Sequence, residues 1–226
     1  MSRIKWHDVG ARKYETGVKN GVFYAQDEKG EYPAGVPWNG LQSVSESPSG
    51  AEPTKLWADD TKYVELRSAE EFGATMEYYT YPDEFAECNG EVEVAPGVFA
   101  GQQERKPFGL CYRTTVGNEV KKDAYGYKLH LIYGATASPS EKGYTTVNDN
   151  PEAITFSSEI TTTPVSVEGL EKPTACLVID STKVDATKLK ALEDILYGTD
   201  GTGDGNGTEA KLPLPAEVIA LLKATA

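Results

Sequence analysis

Tyr127-Lys128-Leu129-His130-Leu131-Ile132-Tyr133 is the stretch that decides the fold class. Across residues 126–134, Tyr127, Leu129, Leu131 and Tyr133 alternate with Lys128, His130 and Ile132. Side chains two positions apart share one face of a strand, so this period predicts a strand lying on a core. The same period extends outward in both directions. Residues 107–116 set Phe108, Leu110 and Tyr112 against Gly109, Cys111 and Arg113. Residues 153–162 set Ile154, Phe156, Ser158 and Ile160 against Thr155, Ser157 and Glu159, and residues 91–95 set Glu91 and Glu93 against Val92 and Val94. Further strands are expected over 39–45, 62–67 and 73–81. Residues 174–180 are apolar on both sides and predict a central strand. Segments 11–16 and 21–27 flank Gly17-Val18-Lys19-Asn20-Gly21, which reads as the turn of a β-hairpin or strand pair.

Helical spacing appears only late. Pro82 precedes a single expected turn over Asp83–Cys88. Asp185 is placed to cap a helix over 186–197, with Leu189, Leu192, Ile195 and Leu196 as its apolar stripe and Gly198 as its stop. Pro215 opens a short helix carrying Val218, Ile219, Leu221 and Leu222. The expectation is a mainly β chain, about ten strands in a sandwich or barrel, with one flanking α-helix and a short C-terminal helix. Residues 1–226 read as one domain with an N-terminal arm (about 1–12) and a C-terminal extension (about 199–226).

Composition narrows the function classes. With 22 Lys+Arg against 35 Asp+Glu, the 226 residues carry a net charge of -13. A pI near 4.7 argues against a basic face that wraps nucleic acid. Abundant Tyr and Gly favour strands and turns. Three widely spaced cysteines, Cys88, Cys111 and Cys176, do not make a disulfide framework; they read as small core hydrophobes of a chain made in a reducing compartment. No apolar run reaches the ~20 residues of a membrane span, and residues 1–10 lack the apolar stretch of a signal peptide.

Chemistry-bearing patterns are sparse, and no cofactor is expected. His7 and His130 are far apart, and no CxxC or HxxxH spacing offers a zinc site. Asp200–Lys211 resembles a calcium loop at its first, fifth and sixth positions, but Lys211 stands where a bidentate Glu is required. Nucleophile elbows and phosphate loops are missing. Glu70-Glu71 and Glu91/Glu93 could in principle serve glycoside chemistry. Tyr78, Tyr79 and Tyr81 cluster as a sugar platform would, although alternation divides them between faces. Ser45–Trp57 holds Pro48 and Pro53 and reads as a long loop ending in apolar Leu56-Trp57.

Longer words in the sequence are more specific. Trp38-Asn39-Gly40-Leu41, followed by Val44-Ser45-Glu46-Ser47-Pro48-Ser49-Gly50-Ala51-Glu52, resembles the major tail proteins of siphophages. So do Glu71–Glu77, Tyr81–Cys88, Ala95-Pro96-Gly97-Val98, Gly101-Gln102-Gln103, Phe108–Thr114, Tyr125–His130, Ala137–Lys142, Thr161–Val165 and Leu212–Pro215, in order from about Tyr14 to Leu222. The segment 199–210 matches least.

This resemblance implies a non-enzymatic tail tube protein. Its fold would be a β-sandwich or barrel with a flanking helix, shared with type VI secretion tubes. Six copies would form a ring, and rings would stack into a hollow tube around a tape-measure protein, bounded by tail-tip and tail-terminator proteins. Double-stranded DNA would later pass down the lumen. The protein would assemble in the bacterial cytoplasm and reside in the virion tail, with no membrane insertion. The resemblance assigns inter-ring contact to the loop, at Ser47, Pro48, Ser49, Gly50, Leu56 and Trp57. An acidic lumen would repel phosphate rather than bind it; Glu77, Glu91, Glu93 and Glu159 are the strand candidates to line it. The alternatives are a tube subunit of a contractile or tail-like particle, a β-sandwich carbohydrate-binding module, and a hydrolase with a carboxylate pair.

Overall fold

The computed structural model describes residues 3–4, 6–147, 149, 152–201 and 207–223. Its elements are β1 (Lys13–Ala25), β2 (Gly35–Pro37), β3 (Leu41–Glu46), β4 (Ser49–Gly50), β5 (Pro53–Ala58), β6 (Thr61–Arg67), β7 (Glu70–Glu71), β8 (Gly73–Tyr78), α1 (Phe85–Cys88), β9 (Val92–Ala95), β10 (Val98–Ala100), β11 (Phe108–Asn118), β12 (Lys122–Ala137), β13 (Phe156–Thr162), β14 (Cys176–Asp180), α2 (Ala186–Tyr197) and α3 (Pro215–Lys223). The chain is mainly β, as its periodicity predicts.

One antiparallel sheet dominates, in the order β2-β1-β11-β12-β13-β8-β3. It curls until its far end returns to its beginning, where β1 packs on β3; the Trp38 amide, which donates to the Gly21 carbonyl at 2.8 Å, extends the β1–β2 pairing beside that contact. The long strand β12 makes the curl possible by changing partners. Its middle pairs with β14, Leu129 opposite Ile179, and its end pairs with β13, Ala135 opposite Thr162. Gly134 stands between the two pairings with φ 57°, a conformation a Cβ would oppose. A Cβ there would also lie 2.5 Å from the Thr163 carbonyl oxygen.

The curled sheet has two cores because alternation supplies two apolar faces. Inside the curl lie Phe23, Trp38, Met76, Tyr78, Phe108, Leu110 and Ile160. Phe85 from the single-turn α1 plugs this core, with ring centroids 4.7 Å from Trp38, 5.3 Å from Phe108 and 5.7 Å from Phe23. Outside the curl, Tyr24, Leu129, Leu131 and Tyr133 meet Leu189, Leu192 and Leu196 of α2 and Val218 of α3. α2 begins where expected: the Asp185 carboxylate accepts from the amides of Thr187 (2.9 Å) and Lys188 (3.2 Å). Gly198, at φ 76°, stands at its end.

Three expectations are corrected. Residues 13–25 form one strand, not a hairpin; Gly17 (φ 70°) and Asn20 (φ 53°) accommodate bulges in its pairing with β11. β14 is not central. It pairs with β12 alone, and Val178 is 50% exposed, so its second apolar side faces outward. Residues 91–95 do not alternate between core and solvent; β9 and β10 form a separate hairpin whose valines are exposed. The calcium-like loop falls partly outside the described residues, at 202–206.

Candidate functional site: a projecting arm and a cation-free sheet face

The segment expected to be a loop is an arm built of strands. β3 and β8 pair in the main sheet, β4 and β7 continue the ladder, and β5 and β6 finish it. Ser49 lies opposite Glu71, Leu56 opposite Val64 and Ala58 opposite Thr61. Asp59 (φ 52°) and Asp60 (φ 59°) close a two-residue turn with both residues left-handed, the twist a tight hairpin needs. Six residues of β5 give the outer arm a reach of about 20 Å. Every residue of β5 is exposed. The prolines that suggest a loop are accommodated: Pro48 lies between β3 and β4, and Pro53 opens β5, where a missing amide costs least.

The arm's surface is apolar where a free domain would place charge. Trp57 is 67% exposed, Tyr63 76% and Leu66 54%, with Leu56 and Val64 also uncovered. Leu56, Val64 and Leu66 share one face, since Leu56 opposes Val64 and Thr54 opposes Leu66. Glu65 on the other face holds Lys62 and Arg67 in ion pairs. Lone exposed apolar residues are ordinary, whereas a contiguous stripe marks an interaction surface. Ser47, Ser49 and Gly50 belong to the root: the Ser47 amide donates to the Gly73 carbonyl at 2.8 Å. A Cβ on Gly50, at φ 80°, would meet the Ala69 carbonyl oxygen at 2.7 Å.

The second surface is the outer face of β13-β8-β3. Ser157 opposes Glu77 and Ser43 follows, while Glu159 opposes Thr75 and Ser45 follows. With Thr161 these seven side chains form a polar face containing two carboxylates and no Lys or Arg. Glu77 and Glu159 are exposed diagonal neighbours, and the Ser43 hydroxyl donates to Glu77 at 2.8 Å. The opposite side of these strands is core, at Met76, Ser158 and Ile160.

The other two acidic candidates stand elsewhere. Glu91 precedes β9 and is held by Lys142, with the Tyr81 hydroxyl at 3.4 Å. Glu93 sits on the β9–β10 hairpin and accepts from the Gly97 amide at 2.7 Å. Neither joins Glu77 and Glu159, because the alternation around residue 92 belongs to a hairpin off the main sheet.

A polar cluster that sequence reading missed joins four strands. His130 stacks on Tyr112, centroids 4.6 Å apart and planes within 7°. Its Nε2 lies 3.0 Å from the Thr114 hydroxyl and its Nδ1 3.3 Å from Glu46 Oε1. Tyr112 donates to the same Glu46 oxygen at 2.8 Å, and Thr114 donates to Glu15. Burial pushes the His130 imidazole below its usual range, against the upward pull of Glu46 and Glu15. No sequence spacing links these residues; only strand pairing brings them together.

The remaining patterns offer little chemistry. Tyr78 is buried with its hydroxyl 2.7 Å from that of Ser158, and Tyr81 packs against Tyr78 and Phe85, which leaves only Tyr79 exposed. Burial pushes the thiols of Cys88, Cys111 and Cys176 up to about 12, far from the range of a reactive thiolate. Adjacent residues of a strand face opposite sides, so Glu70 and Glu71 on β7 do not converge. Among the described residues no three His, Cys, Asp or Glu side chains form a metal-binding group. No helix among them is long and apolar enough to cross a membrane. No protein-family model matches the chain, and neither does any curated protein.

Proposed function

We propose that this chain is the self-assembling subunit of a hollow tube of the kind that forms siphophage tails. The observation that carries this reading is the arm. A strand-built projection about 20 Å long, with Leu56, Trp57, Tyr63 and Leu66 on its surface, has no use in a free domain and fits a neighbouring copy. The ordered sequence resemblance from Tyr14 to Leu222 supports the same reading. So does the β13-β8-β3 face, which is polar, acidic and free of cations, as a wall must be if DNA is to slide past it.

In this reading six copies close a ring, and the arm reaches from one ring to the next. The outer face of β13-β8-β3 lines the lumen, with Glu77 and Glu159 as its carboxylates. The tube encloses a tape-measure protein and later double-stranded DNA, and ends on tip and terminator proteins. It is assembled in the bacterial cytoplasm and carried in the virion, with no catalytic role. Electron microscopy of the purified protein over a concentration series, alone and with tail-tip complex, tests this. Hollow tubes or six-membered rings are expected; a monomer under every condition would return the chain to the class of β-sandwich binding modules.

A further inference from the structure

The arm needs a receptor, and the surface of the same chain offers one. A depression of about 680 Å³ lies where the curled sheet closes, between the middle of β1 and the start of β3. That volume falls within the range of pockets that enclose bulky organic groups. Val18, Pro37, Trp38 and Leu41 supply its apolar lining, and Lys19 stands among them. Gly21 lets Leu41 and Trp38 pack closely against β1 at the floor of the depression: a Cβ there would lie 2.9 Å from Leu41 and 3.3 Å from Trp38.

Chemistry pairs this depression with the arm tip. The tip presents an uncovered indole, Trp57, beside two carboxylates, Asp59 and Asp60. The depression presents an apolar hollow beside one ammonium. Among the described residues none of Lys19, Asp59 and Asp60 is in an ion pair. Position along the chain adds a second argument. Leu41, at the depression, begins β3, and Glu46, at the root of the arm, ends it. One copy therefore carries a donor and an acceptor at different places, and such a contact between copies propagates as an open stack unless its rotation closes it.

We propose that the Trp57 tip of one copy's arm seats in the Lys19 depression of a second copy, with Asp59 and Asp60 facing Lys19. This rests on the tube reading and specifies its axial joint. Lys19 is exposed, so charge reversal there leaves the fold intact, which circular dichroism checks.

The test is a charge swap read by electron microscopy and sizing. Lys19→Glu should raise the concentration needed for assembly by about tenfold or more, the scale of a lost interfacial charge pair made repulsive. Asp59→Lys with Asp60→Lys should do the same, and the three substitutions together should restore assembly. In a Cys176→Ser background, Trp57→Cys with Asn39→Cys should give a ladder of disulfide-linked oligomers on oxidation. Normal tubes from Lys19→Glu, together with no ladder, would overturn the joint and leave the tube reading standing. Absence of any assembly by the unaltered protein, with or without tail-tip complex, would overturn both.

Discussion

Nδ1 of His130 lies 3.3 Å from Oε1 of Glu46 with no hydrogen bond between them. The two groups form an ion pair only when the ring is protonated. Thr114 gives its only hydroxyl proton to Glu15, so it must accept from His130 Nε2. Tyr112 already donates to Glu46. A neutral ring protonated at Nε2 then turns a bare lone pair toward a carboxylate. A second proton would satisfy Glu46 but would place a charge in a largely buried ring, and burial is the larger influence on this imidazole.

Acid should therefore weaken the fold through His130. Its folded-state pKa is depressed below the ordinary value, so the unfolded chain binds the proton more readily. The stabilisation is complete above the ordinary histidine range and is lost as pH falls through the folded pKa. Urea unfolding between pH 7.5 and 5 should show a steeper loss for the unaltered protein than for His130→Gln. Glu46→Gln removes the carboxylate that pulls the ring upward, so the His130 midpoint followed by NMR should move to still lower pH. Equal slopes in the first experiment, or an unmoved midpoint in the second, would contradict this account.

The arm and the core should respond oppositely to truncation. Phe85→Ala empties the centre of an aromatic cluster and should cost about 3–5 kcal/mol, measured by denaturant unfolding. Trp57→Ala removes a ring that touches solvent and should change monomer stability by no more than about 0.5 kcal/mol. The tube reading predicts that only the second variant folds normally yet fails to assemble.

What the sequence discloses and what it hides divide along a physical line. α2 was legible end to end, because Asp185, a 3.6-residue apolar stripe and Gly198 are all local signals. β13 was legible because it buries one face, and β11 and β12 because their alternating side chains feed the inner and the outer core. The arm was legible only in its returning strand: β6 matches the strand expected over 62–67, whereas β5 buries neither face and was read as loop, and Asp59-Asp60 is an unusual pair for a tight turn. β1 looked like a hairpin because Gly17 and Asn20 adopt at bulges the left-handed conformations that turns also use. β14 looked central because its apolar pattern does not reveal that Val178 faces outward. The candidates Glu77 and Glu159 came together through the pairing of β8 with β13, whereas Glu91 and Glu93 were carried away by a hairpin. The His130 cluster draws on β1, β3, β11 and β12, and nothing local in the sequence joins them.

The cap on α2 gives a prediction of modest size. Asp185→Ala leaves the amides of Thr187 and Lys188 without acceptors and should cost about 1 kcal/mol in urea unfolding. Asp185→Asn keeps a side-chain acceptor and should recover most of that. A loss common to both would mean that charge rather than hydrogen bonding stabilises the helix start.

Reversing the sheet face should create DNA binding where none is expected. Glu77→Lys with Glu159→Lys converts two diagonal carboxylates into cations on a face that otherwise carries none. The folded monomer should gain double-stranded DNA affinity that falls as salt rises, measured by fluorescence anisotropy. The unaltered protein, at net charge -13, should show none at the same concentrations. Binding by the unaltered face would argue against its role as a lumen wall.

Gly134 is a position where a single added methyl group should disturb the fold. It lies at φ 57°, a region that L side chains rarely enter. The Cβ of Gly134→Ala would sit 2.5 Å from the backbone oxygen of Thr163, which is fixed because the Thr163 amide donates to the Gly134 carbonyl at 2.9 Å. Relief requires shifting the junction where β12 leaves β14 and takes up β13. That junction also anchors the Tyr32 hydroxyl, which accepts from the Gly134 amide at 2.8 Å. Backbone strain and a displaced buried hydrogen bond together should cost about 2–5 kcal/mol. Gly143→Ala, in open space away from the left-handed region, is the control and should change stability by less than about 0.5 kcal/mol in the same unfolding experiment. Equal stability of the two variants would show that β12 can change partners without a glycine.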